Sequence, residues 1–272
     1  MTSTSLHPTP SPRSVVIEQF RAVGLALRNE GFFFIGALLL IGILVVANTI
    51  RMVNLHPSTV GNTGFTYGSA GAVPIFVMAL LIPFGVWRAE DPAHRAYHWT
   101  MPVARGPHTI VKFLSGWAWL MIAAAVYLVF VVLLATVISM ITGAPNRVAT
   151  GPGWEWLVAF TATTLAYLLT SIAVIGSDHA WRWIGGLFLG FWVLIGIFES
   201  FGMRDVSTAL RTVWDGGYGL KAALFGIVPG GDDHMRGRLM NELSMIRWLV
   251  AMPLWIIGSS VAVTLASYRH RE

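Results

Sequence analysis

The chain has 272 residues, of which 55% are hydrophobic and 11% charged, whereas soluble globular proteins carry about 25% charged residues. This imbalance indicates an integral membrane protein and argues against a soluble one. The absence of cysteine excludes disulfides, thiolate metal sites and cysteine nucleophiles. The formal net charge of +5 comes without the basic and aromatic tract that is typical of nucleic-acid binding.

The N-terminal residues divide into a tail and a first helix. Residues 1–13 are rich in Ser, Thr and Pro, lack the apolar core of a cleavable signal peptide, and are predicted to be disordered. Residues 14–30 separate into two helical faces, which predicts an amphipathic helix in the membrane interface. Its apolar face carries Val16, Phe20, Val23 and Leu27, and its charged face carries Glu18, Arg21 and Arg28. The alternative is a polar extension of the first membrane span.

Six apolar runs lie within one membrane domain that extends over residues 14–272, which predicts an all-α integral membrane protein. They occupy residues 32–50, 70–87, 110–141, 156–176, 183–201 and 248–267. The third run exceeds the roughly 20 residues of an untilted span, so we expect Lys112 to precede the hydrocarbon.

The long segment 202–247 separates the last two spans. It contains an apolar stretch, 218–228, that is too short to cross a bilayer. We therefore expect a pair of short helices here that re-enter the membrane or lie on its outer surface.

The distribution of Lys and Arg over the short loops predicts the orientation. One side receives Arg13, Arg21, Arg28, Arg88, Arg95, Arg105, Lys112, Arg182, Arg269 and Arg271, and the other side receives Arg51 and Arg147. The first side is therefore expected to be cytoplasmic, with both termini inside. A seven-span alternative, in which 218–228 also crosses, would place the C-terminus outside.

The densest cluster of charge and histidine lies between the second and third spans, in residues 88–112. Asp91 is a plausible N-cap, Pro92 suits the first helical position and Pro102 ends the helix, which predicts a short helix over 92–100. A capped cytoplasmic helix between two spans favours a docking element over a spacer.

Two groups of polar residues have a composition that suits metal binding or catalysis, but each has a simpler interpretation. Glu90, His94 and His98 are spaced by four residues, as metal ligands on one helical face would be, but Pro92 starts the helix after Glu90 and spoils that geometry. We interpret the histidines as contact residues. The acidic run at 232–234 could hold a cation or act as a base, and a turn after Gly230-Gly231 is the simpler reading.

The fifth span carries two further features. Glu199 lies near its outer end, where a carboxylate faces water, a partner or the headgroups. Gly186 and Gly190 form a small-x-x-x-small pattern that permits close approach of another helix. These three residues are candidates for a transport pathway or a subunit contact.

The sequence has no phosphate-binding G-x-x-x-x-G-K-[ST] run, no H-E-x-x-H and no G-x-S-x-G. We therefore expect no ATPase or hydrolase activity of its own. One alternative is a membrane-embedded enzyme acting on lipid through Asp232, Asp233, His234 and Glu199. A second alternative is an ATP-independent carrier, channel or membrane assembly subunit.

The whole arrangement resembles the membrane-spanning subunit of type-2 ABC transporters, which are mostly bacterial exporters. The local signature is Glu90 after the second span, the element Met101-Pro102-Val103-Ala104-Arg105, and Lys112 opening the third span. The chain differs from the family at Pro92-Ala93-His94, where Gly-Thr is usual.

The resemblance implies a partner-driven machine in the bacterial cytoplasmic (inner) membrane. A separate nucleotide-binding subunit would hold ATP and Mg, while this chain would bind no cofactor and no metal. A second membrane subunit, identical or related, would complete the pathway for a hydrophobic or amphipathic substrate. The coupling helix would contact the ATPase through Glu90, Asp91, His94, Arg95, Tyr97, His98, Trp99, Met101, Pro102 and Arg105. Arg, Tyr and Trp are also the residues enriched at protein interfaces.

Overall fold

The structure, a computed structural model, describes residues 12–55, 73–87, 105–144, 154–177, 179–233 and 238–269. In these ranges the chain forms nine helices and one antiparallel β-hairpin. The helices are α1 (Pro12–Ala26), α2 (Arg28–Leu55), α3 (Val73–Trp87), α4 (Arg105–Thr142), α5 (Glu155–Gly176), α6 (Ala180–Ser200), α7 (Arg204–Asp215), α8 (Leu220–Phe225) and α9 (Met245–Arg269). The strands are β1 (Ile227–Asp233) and β2 (Arg238–Leu243).

Five of the described helices, α2, α4, α5, α6 and α9, are long and apolar enough to cross a membrane. Their outward side chains are apolar and open: Phe33 is 71% exposed, Leu189 65% and Leu254 64%. Such a surface is unfavourable in water and suits contact with lipid. The chain is a helical membrane protein, as its composition predicts.

The described part of the second predicted span, helix α3, is shorter than the helices of the other spans. Helix α3 has 15 residues, which gives a length of about 22 Å against a hydrocarbon core of about 30 Å. Residues 70–72, at the start of the predicted span, lie outside the described residues.

Helix α5 forms the centre of the molecule. It packs against α3 and α9 most extensively, and also against α4, α6 and α8. Tyr167 and Leu165 are fully buried, and so is Thr163, whose hydroxyl donates to the carbonyl of Ala159 in the same helix at 2.7 Å. This back-bonding lets a polar side chain lie in an apolar core without an unsatisfied donor.

The predicted amphipathic helix over 14–30 is divided between α1 and α2. Helix α1 starts at Pro12, inside the predicted tail, and ends at Ala26, so that Arg28 belongs to α2. The Leu27 amide donates to the Val23 carbonyl and the Gly31 amide donates to the Leu27 carbonyl, both at 2.9 Å. These bonds continue the helical hydrogen-bond pattern through the junction. The apolar periodicity therefore continues as well, and the boundary between α1 and α2 cannot be predicted from the sequence.

The segment between the last two long helices contains a β-hairpin that the all-α prediction missed. Gly226 adopts φ +65° at the end of α8, a left-handed conformation that glycine tolerates without a Cβ penalty. Its carbonyl accepts from the Ser244 amide at 3.0 Å, which closes the base of the hairpin. Strand β1 pairs antiparallel with β2, with a bulge between Pro229 and Asp232.

Helix α8 is buried beside α5 and α9. Ala222, Ala223 and Leu224 are fully or almost fully buried in one cluster with Leu165 and Trp248. Leu165 lies ten residues into α5 from Glu155, a depth of about 15 Å. The short helix therefore packs beside the N-terminal turns of α5 and α9.

Candidate coupling site at the base of the segment 88–104

Most of the predicted partner-binding residues, Glu90, Asp91, His94, Arg95, Tyr97, His98, Trp99, Met101 and Pro102, lie outside the described residues. Arg105 is the first residue of α4. What the structure describes is the pair of helix ends from which this segment emerges: Trp87, the last residue of α3, and the first turns of α4. These ends, with the residues that hold them, form the candidate site.

A lysine and a tryptophan hold the two helix ends together. The Lys112 ammonium lies 4.7 Å from the ring centroid of Trp87. Lys112 is only 6% exposed and Trp87 only 7%. A cation over the face of a tryptophan gains about 0.5–2 kcal/mol, most where water is excluded. We call this contact, between Lys112 and Trp87, the loop clamp.

The junction of α1 and α2 packs against α3 beside the loop clamp. A Cβ placed on Gly85 would lie 2.6 Å from Leu27 Cδ2 and 3.5 Å from the carboxyl carbon of Glu30. Glycine at position 85 is therefore what lets the two helices approach this closely. Leu27, predicted on the apolar face of the interfacial helix, is 7% exposed and belongs to the main core.

Trp119 attaches α1 to α4. Its ring stacks on Phe20 with centroids 4.9 Å apart and planes 11° apart, and its indole N–H donates to the Phe20 carbonyl at 3.0 Å. On the neighbouring turn, a Cβ at Gly24 would come within 2.5 Å of the same indole. Stacking, hydrogen bond and close approach together fix α1 on the helix that follows the candidate coupling segment.

The charged face of the predicted interfacial helix points outward. Arg21 on α1 and Arg28 at the start of α2 are both exposed. Phe20 and Leu27 face the protein, so this part of the amphipathic pattern agrees with the structure.

A polar contact in an apolar setting joins α4 to the central helix. The Tyr167 hydroxyl on α5 donates to the carbonyl of Phe113 on α4 at 2.9 Å. Phe113 directly follows Lys112 in the sequence. Gly116 permits this approach, because a Cβ there would collide with the Tyr167 hydroxyl and lie 2.8 Å from Val86 Cγ2. Farther out, the Trp117 indole N–H donates to the Thr164 hydroxyl at 3.1 Å.

Glu199 at the C-terminal end of α6 has a partner within the same chain. Its Oε1 lies 2.7 Å from the Arg211 guanidinium on α7, with both side chains about half exposed. An edge-to-face contact of Trp192 with Trp214, with centroids 6.4 Å apart, joins the same two helices. Glu199 thus connects α6 to α7 rather than standing as an isolated carboxylate.

The structure also locates the other sequence-predicted residues. Gly186 and Gly190 lie on α6, where a Cβ would meet nothing within 4 Å at either position, so the face they form is open. Asp232 pairs with Leu239 and Asp233 with Arg238 in the hairpin. The predicted turn after Gly230-Gly231 is wrong, because strand β1 continues through these residues; His234 lies outside the described residues.

Sequence reasoning missed Trp119, Tyr167, Gly24 and Gly116. Gly24 and Gly116 each face an aromatic side chain of another helix. Glycine inside a helix leaves room for a close neighbour, but Gly186 and Gly190 are open, so glycine alone would not have identified these contacts.

Comparison with known protein families, with curated proteins and with solved structures finds no match to this chain.

Proposed function

We propose that the chain is the membrane-spanning subunit of an ATP-driven type-2 ABC transporter, which exports a hydrophobic or amphipathic substrate. The observation that carries the proposal is the arrangement at the base of residues 88–104. The loop clamp joins α3 to α4, Trp119 ties α4 to the interfacial helix, and Tyr167 ties α4 to the central helix. A pull on the segment is therefore passed to α1, α3, α4 and α5 through buried and partly buried contacts.

The proposed topology has six spans, of which α3 is the second. Helix α1 lies in the interface, both termini are cytoplasmic, and α7, α8 and the hairpin belong to the outer side. The bias of Lys and Arg toward one set of short loops supports this orientation. The membrane is the bacterial cytoplasmic membrane, following the family that the chain resembles.

Helix α4 acts as a lever in this proposal. It has 38 residues, giving about 57 Å, which exceeds a hydrocarbon core of about 30 Å. Its first turns therefore project from the membrane toward a soluble partner. That partner binds ATP and Mg in this proposal, since the sequence of the chain has no phosphate-binding G-x-x-x-x-G-K-[ST] motif.

A second membrane subunit completes the proposed transporter. The face of α6 around Gly186 and Gly190 is open, and a small-x-x-x-small pattern allows another helix to approach closely. We assign the subunit contact to these glycines. The ion pair with Arg211 accounts for Glu199 at the helix end without a pathway role.

Reconstitution tests the proposal. Purified chain in liposomes alone should not move a hydrophobic reporter substrate, whereas chain with its co-purified ATPase should move it only when ATP and Mg are present. Transport by the chain alone, at the rate of the full complex, would contradict the proposal and favour an ATP-independent carrier.

A further inference from the structure

We propose that Trp181 is the residue that positions α6 on the rest of the chain, by stacking on the last turn of α3. This turn, residues 84–87, leads into the segment 88–104 and includes Trp87 of the loop clamp. A change in the orientation of the turn is thereby passed to α6. The consequence for transport rests on the proposed function, in which α6 carries the contact with the second membrane subunit.

The contact between Phe84 of α3 and Trp181 of α6 is close and parallel. The ring centroids lie 4.4 Å apart and the ring planes differ by 5°. Trp181 is 56% exposed, as an indole covered on one face is. Stacked aromatic rings gain more than the burial of their area, and two flat rings in contact cannot turn independently. The stack therefore fixes the orientation of the start of α6 as well as its distance from α3.

The middle of α6 is held weakly by the rest of the chain. Of its apolar window only 6% is buried inside the protein, against 61% for α5. Every side chain from position 181 to position 194 is exposed or half-buried. A Cβ on Gly185, Gly186 or Gly190 would meet nothing within 4 Å. The position of α6 therefore depends on its two ends.

Each end of α6 makes an aromatic contact with another helix. Near the C-terminal end, Trp192 meets Trp214 of α7 edge to face, with centroids 6.4 Å apart. At the N-terminal end, Ala180 is buried directly after the turn from α5, and Trp181 stacks on Phe84. Of the two aromatic contacts, the stack is the one that connects α6 to the candidate coupling site.

The last turn of α3 is where the stack meets the rest of the candidate site. A Cβ on Gly85 would lie 2.6 Å from Leu27 at the α1–α2 junction, and a Cβ on Gly116 of α4 would lie 2.8 Å from Val86. Pro83 directly before the turn has no amide, so α3 lacks one of its helical hydrogen bonds there. The turn is therefore oriented largely by its neighbours, among which Trp181 represents α6.

The test measures the position of α6 by electron spin resonance in the chain alone. Because the chain has no cysteine, spin labels can be attached at Phe188→Cys on α6 and Val126→Cys on α4, both at exposed positions. Position 188 lies two residues from Gly186 and from Gly190, on the opposite side of the helix. Labelled chain is diluted with unlabelled chain in nanodiscs, so that only distances within one chain are measured.

The native chain should give one narrow distance distribution, and Trp181→Ala should broaden or shift it. Trp181→Phe should keep it narrow, because a phenyl ring still stacks on Phe84. A distribution in Trp181→Ala that is as narrow as the native one, at the same distance, would overturn the proposal whatever the function of the chain.

The partner ring provides a second variant and a matched control. Phe84→Leu should broaden the distribution as Trp181→Ala does, and the two substitutions together should add nothing further, because the rings form one contact. Phe33→Leu changes a phenylalanine of α2 that is 71% exposed and should leave the distribution narrow. Broadening in Trp181→Ala but not in Phe84→Leu would rule out the stack as the cause.

The reconstituted complex with the co-purified ATPase tests the consequence for transport. Trp181→Ala should retain ATP hydrolysis but move fewer substrate molecules per ATP, and Trp181→Phe should restore the native ratio. A native ratio in Trp181→Ala would overturn the link from the coupling site to α6. Absence of ATP-dependent transport in the native complex would instead contradict the proposed function, while the distance measurement still decides whether Trp181 positions α6.

Discussion

Tyr167 illustrates how one residue can hold two membrane helices together. Its hydroxyl reaches across to the carbonyl of Phe113, and Gly116 on the facing turn leaves the room for it. In an apolar surrounding an unmade hydrogen bond is costly, although measured interhelical bonds in membranes average only about 0.6 kcal/mol. The contact therefore sets the distance between the helices more than it adds to stability.

Tyr167→Phe should lower the free energy of unfolding by only about 0.5–1.5 kcal/mol. Gly116→Ala should cost more, about 1–3 kcal/mol, because the added methyl group forces the helices apart. The combination should show coupling: in the Tyr167→Phe background the cost of Gly116→Ala should fall, since the hydroxyl that the methyl group would meet is gone. Denaturation of the purified chain measures all three. An equal cost of Gly116→Ala in both backgrounds would contradict this contact.

The ion pair between Glu199 and Arg211 should contribute little to stability. Both side chains are about half exposed, and such pairs are typically worth 0–1 kcal/mol because water screens them. Arg211→Gln should therefore lower the free energy of unfolding by less than about 1 kcal/mol, as should Arg204→Gln, an exposed arginine at the start of the same helix. A loss of several kcal/mol for Arg211→Gln alone would mean that the pair is not exposed in the native assembly.

At the level of single helices, α1 depends on Trp119 for its position. Gly24→Leu should detach α1 from α4, because a Cβ already comes within 2.5 Å of the indole. Hydrogen exchange should then rise across α1 while the amides of α5 stay protected. Ala22→Leu, at an exposed position of the same helix, is the control. Unchanged exchange in Gly24→Leu would rule out Trp119 as the attachment point.

The long helices were predictable because each apolar run carries its own signal. The run 156–176 coincides with α5 to within one residue, since burial in lipid or protein requires the same continuous hydrophobicity. The hairpin was not predictable, because β1 contains Pro229, Gly230 and Gly231, which are unfavourable in strands. Strand β1 forms through its pairing with β2. The pairing is set by the facing strand across the turn, which the propensity of either strand alone does not contain.

The candidate site was predictable in its outline but not in its construction. Charge, caps and the family signature single out residues 88–105 and Lys112. The loop clamp needs the end of α3 and the first turns of α4 to meet, and only the tertiary arrangement shows that Trp87 receives Lys112. From the sequence, Lys112 is expected to be a solvated charge, yet it is buried in the structure.

For the whole molecule, the loop clamp should matter for coupling. Lys112→Met keeps the length and apolar stem of the side chain but removes the cation from the Trp87 ring. If the chain has the proposed function, the complex with the ATPase should still form and ATP-driven transport should fall, because in that proposal the clamp passes movement of residues 88–104 to both helices. Lys221→Met, which removes the ion pair with Asp215 at 3.2 Å, should leave transport near the native rate. Native transport in Lys112→Met would contradict the role of the clamp.

The proposed function requires residues 92–100 to dock a separate ATPase. The direct measurement is affinity purification of the tagged chain from its native membrane, with identification of the bound ATPase and assay of ATP hydrolysis. The native chain should retain a soluble subunit with a G-x-x-x-x-G-K-[ST] loop, and the double variant Arg95→Glu with Trp99→Ala should lose it. Arg204→Glu with Tyr218→Ala, an exposed pair in the segment between α6 and α9, should retain it. A complex and ATP hydrolysis unchanged in the Arg95–Trp99 double variant would contradict the account.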